Sequence, residues 1–151
     1  MLRVGFWLLV CLVSIGPAQA SNLPFKAPQG TTVQDLSSGK DYLLWSIIYP
    51  DYTAWATVGK TKLAASYRSS AGFKRYIQSA IGNDRSFQQY GIKTKLTWRK
   101  NSYVLSASGP QYRVYLKGRL GSGGFWHFGS MAGYKGASKT AALERMVKAL
   151  K

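Results

Sequence analysis

The 151 residues hold one cysteine, one histidine, one glutamate and four aspartates, and each scarcity removes a class of chemistry. Cys11 lies in the apolar N-terminal stretch, so beyond it the chain has no thiol. Disulfides, thiolate metal sites and cysteine nucleophiles are thereby excluded from the remainder. Metal centres draw on clusters of His, Cys, Asp and Glu; no such cluster exists, and neither a metal nor an organic cofactor is expected. Paired carboxylates for glycosidic acid–base work are also missing, with Asp41 and Asp51 in separate segments. Ser106 and Ser108 have no carboxylate-oriented base to activate them. The "GKT" at 59–61 lacks the upstream glycine of a phosphate loop and reads as a turn. No long apolar run follows the first fifteen residues, so no membrane span is expected after them.

What the chain has in excess is positive charge, 21 Lys and Arg against five acids. The opening "MLRVGFWLLVCLVSIGPAQA" joins Arg3, an apolar run from Val4 to Ile15 and a terminal Ala18-Gln19-Ala20. That order is the signature of a secretory signal peptide cleaved after Ala20, which predicts a periplasmic or secreted protein. Ser21 stands where a lipid-anchored form would carry Cys. Removal of residues 1–20 takes Arg3 and leaves 20 bases against five acids, net +15. An excess of one sign on this scale is the footprint of a protein that meets polyanions. Nucleic acid, lipopolysaccharide, an acidic protein partner or peripheral contact with an anionic membrane surface all fit the charge.

Residues 21–40 carry two Pro, two Gly and small polar residues and read as a flexible leader, which leaves 41–151 as a single α/β domain. "YLLWSIIYP" is a buried strand stopped at Pro50. "YTAWATVGKTKLAASYR" reads as a hairpin broken at Gly59-Lys60. "SSAGFKRYIQSAIGN" changes period to that of an amphipathic helix, with Ser70 as N-cap and Gly82-Asn83 as C-cap. "ASKTAALERMVKALK" is a second amphipathic helix, capped by Ser138, whose Leu143, Met146, Val147 and Leu150 face a sheet.

Between them lies "KTKLTWRKNSYVLSASGPQYRVYLKGRL", residues 93–120. A two-residue turn at Lys100-Asn101 pairs Trp98 with Tyr103 and Leu96 with Leu105. A tight turn at Gly109-Pro110 pairs Ala107 with Tyr112, Ser106 with Arg113 and Ser102 with Lys117. Both registers place Leu96, Trp98, Tyr103, Leu105, Tyr112, Val114 and Leu116 on a core face. Lys93, Lys95, Arg99, Ser102, Ser106, Ser108, Arg113, Tyr115, Lys117 and Arg119 gather on the other. "FWHFGSMAGY", 125–134, reads as a further strand whose facing depends on the loop "GSGG". The predicted fold is α+β, an antiparallel sheet of about five to six strands packed by two amphipathic helices in an α/β sandwich.

"KLTWRKNSYVLSASG", "YRVYLKGRL" and "ALERMVKALK" resemble the C-terminal half of PsbP-like and DcrB-like domains, small exported α/β proteins, over roughly residues 87–151. The resemblance implies a sheet sandwiched by helices and a non-enzymatic accessory or binding role, with no shared catalytic residues to carry over. From the residues themselves, the expected site is a ligand-binding face of Lys93, Lys95, Arg99, Arg113, Lys117 and Arg119, with Tyr115 and Trp126 stacking on the ligand. Two rival readings stand beside it. One is a small cationic ribonuclease using His127 with Arg113, Lys117 and Arg119. The other is a cationic protein that docks on membrane surfaces or acts on bacteria.

Overall fold

Two strand meanders, each ending in a helix, build the chain. The structure, a computed structural model, describes residues 23–82 and 91–151; the expected signal peptide and Asn83 lie outside them. The first meander is β1 (Thr32–Asp35), β2 (Tyr42–Ile48) and β3 (Ala54–Lys62), followed by α1 (Ser70–Gly82). The second is β4 (Lys93–Arg99), β5 (Ser102–Ser108), β6 (Tyr112–Leu120) and β7 (Phe125–Tyr134), followed by α2 (Ser138–Ala149). The last strands of the two meanders pair antiparallel, giving one seven-stranded sheet in the order β1-β2-β3-β7-β6-β5-β4.

The fold is thus α+β, one antiparallel sheet with a helix on each face. It has more strands than the five or six expected because the stretch read as leader supplies β1. Thr32–Asp35 pairs with β2, and Val33 packs on the core. Phe25 meets Trp45 edge-on at 6.0 Å. The break expected at Gly59-Lys60 is absent: β3 runs through it, and the hairpin turn is instead at 49–54, where Tyr52 N–H donates to the Tyr49 carbonyl. Gly59 serves close packing, since a Cβ there would lie 2.4 Å from Phe128 Cζ.

The β4–β5 register is the expected one, Trp98 opposite Tyr103 and Leu96 opposite Leu105. The β5–β6 register is two residues away from expectation: Ala107 faces Val114, Ser106 faces Tyr115 and Ser102 faces Arg119. Gly109 N–H donates to the Tyr112 carbonyl, so the turn residues are Pro110-Gln111. Proline's fixed φ suits the first central position of a turn and is disfavoured at the second. A shift of two preserves side-chain alternation, so both faces keep their expected members.

α1 packs on strands of the second meander, and α2 straddles the seam between the two, over β3, β7 and β6. Phe73 and Ile77 of α1 bury against Tyr103, Leu105, Leu116 and Trp126. Phe73, Trp98 and Tyr103 meet at ring separations of 5.4–6.1 Å, each pair adding about 0.5–1.5 kcal/mol beyond area burial. Leu143, Met146 and Val147 of α2 bury on the opposite face against Ile47, Ala54, Ala56, Val58 and Met131. The caps differ from expectation by one residue. Ser69, not Ser70, accepts the Gly72 N–H at 3.0 Å, and Ser70 begins the helix. Ala137 occupies the N-cap of α2 without a side-chain bond, while Thr140 reaches back to donate to the Tyr134 carbonyl at 2.8 Å.

Candidate polyanion-binding face

Alternation along β4, β5 and β6 brings Lys93, Lys95, Arg99, Arg113, Tyr115, Lys117 and Arg119 to one face, with Ser102, Ser106 and Ser108 on β5 between the two basic strands. Tyr115 also faces Met131 of the α2-side core, so this is the face that α2 covers in part.

The helix uses three of the expected ligand residues. Arg113 donates from Nε to Glu144 Oε2 at 3.1 Å and from Nη2 to Oε1 at 2.8 Å. Such a planar fork satisfies a carboxylate with directional bonds. Lys117 Nζ donates to the carbonyls of Lys148 and Leu150 at 3.1 and 2.6 Å, capping the negative end of α2. Lys148 pairs with Glu144 at 2.8 Å and lies over the Tyr115 ring at 5.2 Å. Arg113, Tyr115 and Lys117 are therefore docking residues for the helix. Trp126, expected to stack on a ligand, points to the opposite face. It is 5% exposed, donates Nε1–H to the Tyr103 hydroxyl at 3.2 Å and sits in the α1 core. The register β7 adopts against β6 sends the even-numbered side chain inward here.

Lys93, Lys95, Arg99 and Arg119 remain exposed. The sheet adds Lys60, which no sequence pattern joined to them, and sets His127 beside Arg119 as the ribonuclease reading expected. Arg99 faces Ser102, Ser102 faces Arg119, Arg119 faces His127, and His127 faces Lys60. These five residues form one row across β4, β5, β6, β7 and β3, beyond the end of α2, where Leu150 lies over Gly129 in the neighbouring row. Lys60 Nζ stands 4.3 Å from the centre of the Phe125 ring. A shallow depression of about 240 Å³ opens between Arg99, Lys100, Asn101, Ser102, Arg119 and Leu120. That is below the ~300–1,000 Å³ of sites that enclose a small molecule; it is the floor of an open groove.

The loop 121–124 shapes the row. Gly121 N–H donates to the Phe125 carbonyl at 2.7 Å, closing the β6–β7 hairpin, and Gly123 and Gly124 take φ of +69° and +75° to complete it. Those angles favour glycine. Gly121 is glycine for space: a Cβ there would lie 2.8 Å from His127 Nε2 and 3.4 Å from Arg119 Nη1. Imidazole and guanidinium are therefore neighbours beside Gly121. Leu63 N–H bonds the Gly124 carbonyl at 3.0 Å, and Arg68 Nε–H bonds the Leu63 carbonyl at 2.8 Å, fixing the loop from β3's end.

Charge in the row is uncompensated. Asp41 pairs with Lys62 at 3.7 Å, Asp51 with Lys139, and Glu144 with Arg113 and Lys148. The Asp35 carboxylate accepts the Ser37 N–H at 2.9 Å. Among the described residues, no carboxylate forms an ion pair with Lys60, Lys93, Lys95, Arg99, Lys100 or Arg119. Burial and the cations Arg119 and Lys60 hold the His127 pKa below its ordinary value, so the ring is largely neutral at neutral pH. The row can hold an anion among fixed positive groups. It offers no partner carboxylate to orient His127 as a catalytic base, and no group of three or more potential metal ligands occurs among the described residues. No family model, curated protein or solved structure matches this chain.

Proposed function

We propose that this chain is an exported, non-enzymatic module that binds a phosphate- or sulfate-bearing polyanion across the open part of its basic face, from Lys93, Lys95 and Arg99 on β4 to Arg119, His127 and Lys60. The observation that carries this reading is the placement of the last three on inner strands. Lysine and arginine on an edge strand such as β4 discourage pairing with a second sheet. That device has no use on β6, β7 or β3, where two cations flanking one imidazole without a carboxylate partner repel across it. A bound anion offsets that repulsion.

The reading joins the signal-peptide pattern, the net charge and the resemblance to PsbP-like and DcrB-like domains, and it takes the periplasm or extracellular space as the place of action. The test is a titration of residues 21–151 against RNA, DNA, lipopolysaccharide, anionic vesicles and a sulfated polysaccharide at low and physiological salt. Tight, salt-sensitive binding of an intact polymer is the expected result; no binding to any of the five would sink the reading.

A further inference from the structure

We infer that Arg119, His127 and Lys60 form a discrete subsite for one tetrahedral oxyanion of a phosphate or sulfate ester, and that His127 takes up a proton as the anion binds. The inference rests on the polyanion reading and sharpens it from a charged surface to one binding position with its own chemistry.

The three groups stand in one row on adjacent strands. Arg119 and Lys60 face His127 directly from the strands on either side, so their Cα atoms stand roughly 9–10 Å apart, two strand spacings of ~4.8 Å. Long side chains from those positions reach a group sitting over the central imidazole. His127 Nε2 and Arg119 Nη1 both pack beside Gly121, 2.8 and 3.4 Å from where a Cβ would stand, so the two groups are neighbours at the rim of the β6–β7 hairpin. Lys60 is held over the Phe125 ring, which positions its ammonium without neutralising it.

The charged groups around His127 are unequal in sign. From β6 comes Arg119, from β3 Lys60; one row outward Lys62 is paired with Asp41, and one row inward Lys117 is bound to the end of α2, where Lys151 follows Leu150. The free site therefore disfavours a third positive charge. An oxyanion reverses this, because it screens Arg119 and Lys60 and accepts a hydrogen bond from a protonated Nε2. Binding is then linked to proton uptake: affinity is greatest where His127 is already protonated and declines as pH rises through its free-state pKa, levelling off above the bound-state value.

The probe is inorganic sulfate, whose charge is constant from pH 5 to 8, against chloride at equal ionic strength, with the His127 Cε1–H resonance of the whole mature chain followed by NMR. The expected result is a titration midpoint raised by about one pH unit in sulfate, equivalent to about tenfold tighter binding to the protonated form, and a smaller rise in Arg119→Gln and in Lys60→Gln. A thymidine tetranucleotide and a fully sulfated disaccharide distinguish the two ester sources by which moves the midpoint at lower concentration. A midpoint unmoved by sulfate and by both oligomers overturns the subsite while leaving polymer binding free to stand. A midpoint that moves in a protein that binds no polymer supports the subsite and fails the broader reading.

Discussion

Arg113 on β6 and Glu144 on α2 share two parallel hydrogen bonds, 3.1 and 2.8 Å long, across the junction of sheet and helix. Their strand and helix are joined by no local contact in sequence, and the pair fixes how α2 lies over the basic face. Replacing Arg113 by Gln strands Glu144, 15% exposed at its side chain, with only Lys148. Equilibrium urea unfolding should show a loss of about 1–2 kcal/mol, with polyanion binding retained. An unchanged midpoint would remove Arg113 from the docking role.

The same pair sets an acid limit. The Arg113 guanidinium, and secondarily Lys148, hold the Glu144 pKa down to about 2, from an unperturbed value of 4.5. A depressed carboxylate contributes stability that is complete above the unfolded-state pKa and disappears as pH falls toward the folded-state value. Stability should therefore decline between about pH 4.5 and 2, and Glu144→Gln should flatten that slope while lowering stability at pH 7. Unfolding transitions at half-unit steps of pH check both points.

Gly118→Ala should be severe. A Cβ at 118 falls 2.6 Å from Trp126 Nε1 and 2.7 Å from the Tyr103 hydroxyl, inside the hydrogen bond that ties β5 to β7 on the α1 face. Overpacking of this kind costs about 1–3 kcal/mol. Thermal unfolding reads it directly; a melting temperature equal to the parent's would show that the two rings can move apart.

On the binding side, Lys95, Arg99 and Arg119 replaced together by Gln should weaken polyanion affinity and reduce the slope of log affinity against log salt by about two to three. Among the described residues no ion pair joins these side chains to a helix, so the unfolding midpoint should hold within about 0.5 kcal/mol. Equal affinity for parent and triple variant would locate binding elsewhere.

The ribonuclease alternative gives an opposite expectation. RNA incubated with the wild-type protein and run on a denaturing gel should remain intact. Cleavage that disappears in His127→Ala while binding persists would convert the row into a catalytic site and overturn the non-enzymatic reading.

Local pattern made the second meander legible. Strand period, the Lys100-Asn101 turn and helix spacing in 138–151 led to four strands and α2, with the faces of β4, β5 and β6 intact even though the proline turn moved one register by two. Lys95 and Arg99 were readable as open charge for the same reason. The roles of Arg113 and Lys117 were not, because their partners lie on a helix about thirty residues later and a strand pattern records only sidedness. Lys60 was missed for a stronger reason of the same kind. It meets His127 through the β3–β7 pairing, which brings together segments more than sixty residues apart. "FWHFG" alone is equally compatible with either facing, so Trp126 and His127 could be sorted only by the register that β6 imposes. β1 escaped because four residues among Pro, Gly and Ser have too little periodicity to count as a strand.

The two helices tie the meanders together, α1 by packing on β5, β6 and β7 and α2 by straddling the β3–β7 seam. A cut between α1 and β4 would leave one fragment with three strands whose covering helix is on the other piece, and a second fragment whose aromatic layer needs Phe73 and Ile77 from the first. Each fragment would lose part of its interior, and the edges β3 and β7 would be left unpaired. The β3–β7 pairing is in this sense an internal interface, with one helix laid across each of its faces.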